Sequence, residues 1–411
     1  MSDESLRSIF NLVAEAIEQL PNPPRKGIQK EVRKMEEVIM DNRAPRILIL
    51  GRRGAGKSSL INAFFGEKVA ETGSVVSETG EAKWHSFENS KGSIDILDTR
   101  GLGDRTKPEA AHFEEAVGDI KGAIENHRPD AILFLCKAKE VDARITEDIE
   151  SVAKIREYIL DIHAFDIPVA AVVTQVDELD PKRIEPPYED PQKQENIAQA
   201  VRVLENAFGS IETIPVSAYA EHDQSGAITY DNYWNIDILL DYLMDVLPHS
   251  AQLQLARLSA LKTIQKRLAR VVVGSAASVC AGFAATPIPL ADAIPITTVQ
   301  MAMITGIGYI AGKEISREHA KKFVVALGAN VGAAFALREG ARALIKLMLP
   351  VGGYLISAGV AFAGTWGIGE AAIAYFVDEL SIEEAKDRFK KVKRETREDY
   401  EDSSGSPQCE G

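Results

Sequence analysis

Residues 46–65 read RILILGRRGAGKSSLINAFF: an apolar run, a glycine-rich turn, then apolar residues at helical spacing. Ile47 to Leu50 suit a buried strand, and Leu60, Ile61, Phe64 and Phe65 form one face of a helix. Between them Gly51, Gly56, Lys57 and Ser58 satisfy G-x-x-x-x-G-K-[ST] in the strand-turn-helix context the motif requires. Such a turn lets backbone N–H groups wrap phosphates, and the helix N-terminus adds a partial positive charge. Lys57 is placed to reach the outer phosphates and Ser58 to ligate Mg2+, with Gly54 and Ser59 completing the cradle.

With 411 residues, 45% of them hydrophobic and 26% charged, the chain is globular and long enough for two or three domains. Cys136, Cys280 and Cys409 lack metal-type spacing and read as reduced thiols, which suggests the cytoplasm. The start MSDESLRS has neither the basic opening nor the apolar stretch of a signal peptide, and Cys409 is misplaced for prenylation. The net charge of −14 is uneven: residues 251–350 hold twelve Lys or Arg against four acids, which is +8, and the remainder is −22. That asymmetry points the C-terminal part towards an anionic surface.

Before the phosphate loop, Leu6, Ile9, Phe10, Val13, Ile17 and Leu20 share a helical face that ends at Pro21, and Ile28, Val32, Met35 and Ile39 mark a second helix. After it, strand-like runs at 47–50, 83–87, 94–97, 131–136, 169–174 and 213–216 alternate with helical stretches. This predicts an α/β domain, a mixed and mostly parallel sheet with helices on both faces. Ligands of such sheets gather at the carboxyl ends of the strands, where further site elements appear. Asp98-Thr99-Arg100-Gly101 follows the third run, 41 residues after Lys57; Asp98 can hold a Mg2+ shell through water, and the Gly101 N–H can reach a terminal phosphate. Thr174-Gln175-Val176-Asp177 follows the fifth. A carboxylate at Asp177 can accept from N1–H and the exocyclic amine of guanine, whereas adenine presents an acceptor at N1. Ser217-Ala218 can offer a backbone N–H to guanine O6. Thr79 is the first choice to complete the Mg2+ shell, with Thr72 and Ser77 as rivals.

These elements, in this order, resemble the Era-like branch of the TRAFAC class of P-loop GTPases over residues 46–250. The K-S-S-L-I-N-A-F-F-G segment looks like that family's first helix. The resemblance implies GTP/GDP and Mg2+ as ligands and hydrolysis of GTP to GDP and phosphate. The layout of helical piece, G domain and longer helical region is similar to that of the immunity-related GTPases. Two departures bear on mechanism. The family usually reads Asn-Lys-x-Asp where this chain has Thr174 and Gln175, which suggests modest nucleotide affinity. Leu102 stands where many relatives carry a water-orienting glutamine, so hydrolysis would draw on K+, a partner, a dimer or nearby charge. Arg52, Arg53 and Arg100 are candidates for that charge, against the simpler reading of solvated loop residues. Residues 181–192, PKRIEPPYEDPQ, read as an exposed insertion.

In the C-terminal half, residues 271–312 hold one charge, Asp292, and TPIPLADAIP divides them into two helical arms of about 15 residues with basic outer flanks. Each arm falls short of a membrane span and is rich in small residues. Residues 347–369 are uncharged for 23 residues but contain Pro350 and six glycines, and Gly359 with Ala363, or Gly352 with Ile356, would permit close helix contacts. A packed helical bundle and a membrane hairpin both fit. The region loosely resembles apolar helical domains fused to some bacterial Era-like GTPases. Ser381-Ile382-Glu383-Glu384 is a capping box opening a last charged helix.

The expected organisation is an N-terminal helical pair (1–44), a GTP-binding domain (45–250), an apolar and basic helical region (251–398) and a disordered tail (399–411). The expected function is GTP binding and hydrolysis coupled to membrane association or self-assembly. The partners would be a guanine nucleotide, an anionic membrane surface at its cytoplasmic face, and a second copy in a nucleotide-dependent homodimer. A membrane-inserted structural or pore-forming protein gated by its G domain is the rival. An RNA-associated assembly factor is third, disfavoured by net acidity and the lack of aromatic-basic RNA motifs.

Overall fold

The structure is a computed structural model that describes residues 3–403 apart from 19, 21, 23, 41, 71–82, 90–91, 99–117, 119, 142–144, 225, 260, 286–292, 314, 316 and 329–357. The chain divides into two compact units, one of residues 43–264 and one combining residues 1–42 with 265–411.

The first unit is built on a six-stranded sheet of order β2-β3-β1-β4-β5-β6. The strands are β1 (Arg46–Gly51), β2 (Lys83–Glu88), β3 (Ser93–Asp98), β4 (Ala131–Lys137), β5 (Val169–Thr174) and β6 (Glu212–Pro215). Only β2 runs antiparallel to its neighbour. Each expected strand is present; the last begins and ends one residue earlier than expected. Side chains of β1, β4 and β5 are buried along nearly their whole length, as continuous apolar runs in a sheet covered on both faces require. Ile120, Ile124, Val152, Ile155, Ile159, Ile197 and Leu204, from helical residues near 120–126 and from helices Ile145–His163 and Pro191–Phe208, share one apolar core with them.

The entry to β1 is fixed by an ion pair. Arg43 donates from both terminal nitrogens to the Asp130 carboxylate at 2.7 and 2.6 Å, and the Arg46 N–H adds a third bond at 2.9 Å. Asp130 is 1% exposed, so this charge is held by saturating its acceptors. Helix His249–Leu258 packs in the same unit against β3, where a side chain at Gly92 would meet the Gln254 carbonyl oxygen and the Leu258 nitrogen at 2.7 Å. A short antiparallel hairpin, β7 (Ala220–His222) and β8 (Ile228–Asp231), was not foreseen from the pattern.

In the second unit the expected N-terminal pair is present as helices Asp3–Glu18 and Pro24–Ile39. Phe10, Val13, Ile17, Ile28, Val32 and Met35 are buried, as the stripe requires. These helices pack among Lys262–Ala285, Ala293–Ile310, Arg317–Gly328, Ala358–Phe376 and Ile382–Ser403. The two arms flanking TPIPLADAIP are 24 and 18 residues long, longer than the expected 15. The second is longer because its helix begins at Ala293, within TPIPLADAIP, and the first because the basic stretch expected to flank it lies inside its helix. Lys266 pairs there with Asp378 at 2.6 Å and Arg270 with Glu370 at 2.8 Å. Among the described residues one helix, Lys262–Ala285, is long and apolar enough to cross a membrane, and 56% of its most apolar window is buried.

Close packing over small residues occurs at several glycines, and Ala363 of the expected Gly359–Ala363 pair is buried. A side chain at Gly369 would sit 2.5 Å from both Val273 methyls, one at Gly282 would meet Ile28 at 2.7 Å, and one at Gly306 would meet Ile39 at 2.6 Å. Gly352 and Ile356 lie outside the described residues. The capping box is formed, Ser381 N–H donating to Glu384 at 2.9 Å. The last helix continues to Ser403, past the expected start of the disordered tail, its charged residues still at helical spacing.

Glu370, 5% exposed, accepts from Arg270 and Arg388 at 2.8 and 3.0 Å. Burial pushes its carboxyl up, but the bonds and charges of the two arginines outweigh this and hold it below the usual range. A depressed folded-state value gives stability that is present above the unfolded value and lost as pH falls through the folded one. E370Q should therefore melt below the parent at pH 7, and the gap should close as the pH falls through and below the ordinary glutamate range when both are followed by thermal circular dichroism. In the same assay Gly369→Ala should cost about 1–3 kcal/mol through overpacking against Val273.

Candidate nucleotide-binding site

The phosphate loop leaves β1 at Gly51, where a side chain would lie 2.6 Å from the Leu135 carbonyl oxygen. Gly56, in the left-handed region at φ 86°, turns the chain into helix Lys57–Phe65. The N-cap, Gly56, has no side chain to cap that helix, and Lys57, Ser58 and Ser59 form its first turn. Asn62, 1% exposed, anchors the following segment by accepting from the Val69 and Ala70 N–H groups at 2.9 and 2.7 Å.

Two side chains join this loop to the end of β5. Thr174 donates its hydroxyl to the Ala55 carbonyl at 2.9 Å, and Gln175 donates its amide to the Gly54 carbonyl at 2.8 Å. Gln175 is itself left-handed, at φ 58°. The residues read as departures from Asn-Lys-x-Asp thus connect the two loops. Asp177 lies in a short 3-10 turn, Val176–Glu178, and its carboxylate accepts from the Ser217 hydroxyl at 3.0 Å. Ser217 is fully buried and exchanges backbone hydrogen bonds with Trp234 at 3.1 and 3.0 Å, so of the Ser217-Ala218 pair the Ser217 N–H is already committed.

Arg52 is no solvated loop residue: its Nε donates to Asp148 at 2.9 Å, and Asp148 is only 7% exposed. Burial raises the Asp148 carboxyl, and Arg52 offsets that only in part. Arg53 is exposed. Asp98 closes β3, its backbone in register with Ile49 of β1 and Lys83 of β2. Its side chain lies outside the described residues, as do Thr72, Ser77, Thr79, Arg100, Gly101 and Leu102.

The pattern missed five neighbours of the site. Lys137, the last residue of β4, brings its ammonium 3.4 Å from where a side chain on Gly54 would stand and pairs with Glu140 at 2.9 Å. The strand-end rule that found Asp98 would have found it. Asp148 and Trp234 carry no local signal, and Lys193 looks like any helix-surface lysine in sequence. Within the expected exposed insertion Tyr188 is the anchor, 3% exposed and edge-on to Trp234 at 5.1 Å, its hydroxyl pushed up to about 12 by burial.

Residues 46–174 match a family described as 50S ribosome-binding GTPase, and residues 249–400 match a domain of unknown function, DUF697. The tRNA modification GTPase MnmE of Pasteurella multocida is 30% identical over 132 residues, 32% of this chain and 27% of that protein. GTPase Era of Clostridium kluyveri is 29% identical over 173 residues, 42% and 50% respectively. GTPase Der of Persephonella marina is 26% identical over 174 residues, 42% and 36%. The chain spans half or less of the length of these curated relatives. A phosphate loop bonded to a Thr174–Asp177 turn at the strand ends, together with these matches, gives the assignment: the chain carries a TRAFAC-class P-loop GTPase domain, related to Era, Der and MnmE proteins, and a separate C-terminal helical region.

Proposed function

We propose that the chain binds GTP, hydrolyses it to GDP and phosphate, and uses the nucleotide state to govern how its helical region engages an anionic membrane surface or a second copy. The observation that carries the reading is the pair of hydrogen bonds from Thr174 and Gln175 to the phosphate loop. They hold a phosphate subsite and the Asp177–Ser217 pair in one fixed frame. In this reading Gly51, Gly54, Gly56 and Ser59 supply the cradle and Lys57 the cation for the outer phosphates. Asp177 accepts from the guanine N1–H and amine, and Ala218 offers its N–H to O6.

The helix N-terminus at Gly56 and the glycine turn fit a Mg-nucleotide. No cluster of three His, Cys, Asp or Glu exists among the described residues, and Mg2+ held largely by phosphates and water needs none. Ser58, Asp98 and Thr79 would hold the ion, which would neutralise charge developing on the phosphates. Gly101 would donate to the terminal phosphate. Arg53 is the loop cation proposed to face that charge. Arg52, engaged by Asp148, would enter only by exchanging partners.

Titration of the full chain with labelled nucleotides in Mg2+ should give GTP affinity at least about 100-fold above ATP, as base-edge hydrogen bonding supports. Equal affinities would sink the guanine assignment. Phosphate release should fall in Arg53→Ala with binding retained, and absence of release in the parent with K+ and liposomes would reduce the protein to a binder.

The basic segment at 251–350 and helix Lys262–Ala285 support the membrane part of the reading. Burial of that helix and its ion pairs favours peripheral attachment over insertion. Flotation with anionic liposomes should differ between GTP- and GDP-loaded protein, and carbonate should strip the bound chain. Resistance to carbonate would favour the membrane-inserted reading instead.

A further inference from the structure

Lysine is almost never buried without a partner of opposite charge, because an ammonium taken from water loses its hydration. Lys193 is completely buried, at 0% exposure, in the first turn of helix Pro191–Phe208. Among the described residues no carboxylate forms an ion pair with it. Its ammonium donates to the Asp177 carbonyl at 2.8 Å and the Leu179 carbonyl at 2.6 Å, and lies 4.9 Å from the centre of the Tyr188 ring. Three donors therefore meet two carbonyls and a ring face, a set that suits the charged form.

Both carbonyls belong to the turn that carries the Asp177 side chain. That turn is short, closed by Glu178 N–H to Gln175 at 3.1 Å and Leu179 N–H to Val176 at 3.2 Å. The lysine is fixed in return: the Asp190 carboxylate caps its helix by accepting from the Lys193 N–H at 2.9 Å. Next to it, Asn196 donates to the Asp180 carbonyl at 2.7 Å. Burial lowers the Lys193 pKa, and the charges of Asp177 and Asp180 oppose that loss. An apolar side chain would fill the same space without desolvating a charge, so the cation is explained by what it holds.

We propose that Lys193 is the positioning residue for base recognition: its buried ammonium clamps the Asp177–Leu179 carbonyls from behind and sets the Asp177 carboxylate in line with the guanine edge. The inference rests on Asp177 being the base-recognising group. It gives a role to the 181–192 insertion, which supplies the Tyr188 ring under the ammonium and the Asp190 cap.

The test compares GDP with IDP, which lacks the exocyclic amine, by calorimetric titration of the full chain in Mg2+. Lys193→Met should weaken GDP binding about tenfold and shrink the GDP-over-IDP preference, the scale of one buried charge-assisted hydrogen bond. In an Asp177→Ala background the same change should have less than about a twofold effect, as expected for residues acting in series. A thermal melt reports whether Lys193→Met is folded. If it is not, Tyr188→Leu, which removes the ring beneath the ammonium, is read by the same criteria. A folded variant with unchanged preference, or a loss that persists undiminished without Asp177, overturns the proposal. Asp177→Ala leaving both GDP affinity and preference at parental values would overturn the base assignment itself, an outcome visible without any change at Lys193.

Discussion

The site depends on the tie between the end of β5 and the phosphate loop. β1, β4 and β5 are adjacent parallel strands, with Gly51 in register with Leu135 and Lys137 with Thr174. Two inter-strand steps, roughly 10 Å, therefore separate the strand that ends in the phosphate loop from the one that ends in the Asp177 turn. Loops leaving the sheet over that distance would wander independently. The Thr174 and Gln175 bonds to Ala55 and Gly54 convert them into one rigid rim. Rigid positioning of groups on regular elements is what makes recognition of a ligand edge selective.

That tie also accounts for what could be read from the sequence. β1, β4 and β5 were legible because their apolar runs are continuous, β2 and β3 from shorter alternating apolar positions, and the turn after β1 because the glycines of G-x-x-x-x-G-K-S interrupt the pattern between strand and helix. Thr174 and Gln175 looked like losses when measured against Asn-Lys-x-Asp. In space they are donors, the hydroxyl reaching the Ala55 carbonyl and the amide the Gly54 carbonyl. Lys193, Tyr188 and Trp234 were illegible for a different reason. Their meaning lies in contacts between residues 16 to 46 positions apart, and periodicity registers only neighbours along one helix or strand.

In the helical unit, composition marked residues 271–312 as membrane-like, and packing gives that composition a second use. Glycines admit branched side chains where helices cross, Gly282 beside Ile28 and Gly369 beside Val273. Ionic groups within this apolar setting are matched instead of omitted. Glu370 joins arginines from two other helices, and Ser275 donates to Glu31 at 2.7 Å from a helix more than 200 residues earlier in the chain. Hydropathy windows see the apolar residues and miss these matches, because each partner comes from a distant part of the sequence.

The partition of the chain carries a consequence for its synthesis. The sheet unit is an insertion within the helical unit, whose N-terminal helices contact each other but find the rest of their packing partners only after residue 265. As the chain emerges, residues 43–264 have every strand and most of their core in hand, whereas Phe10, Val13, Ile17, Ile28 and Val32 have only the facing N-terminal helix for apolar cover through that whole interval. Domains generally fold as units from the N-terminus, and contacts of long sequence separation form last. The order of maturation is thus the reverse of the order of translation for the first forty residues. A fragment that begins after them would leave the helical bundle without two of its walls.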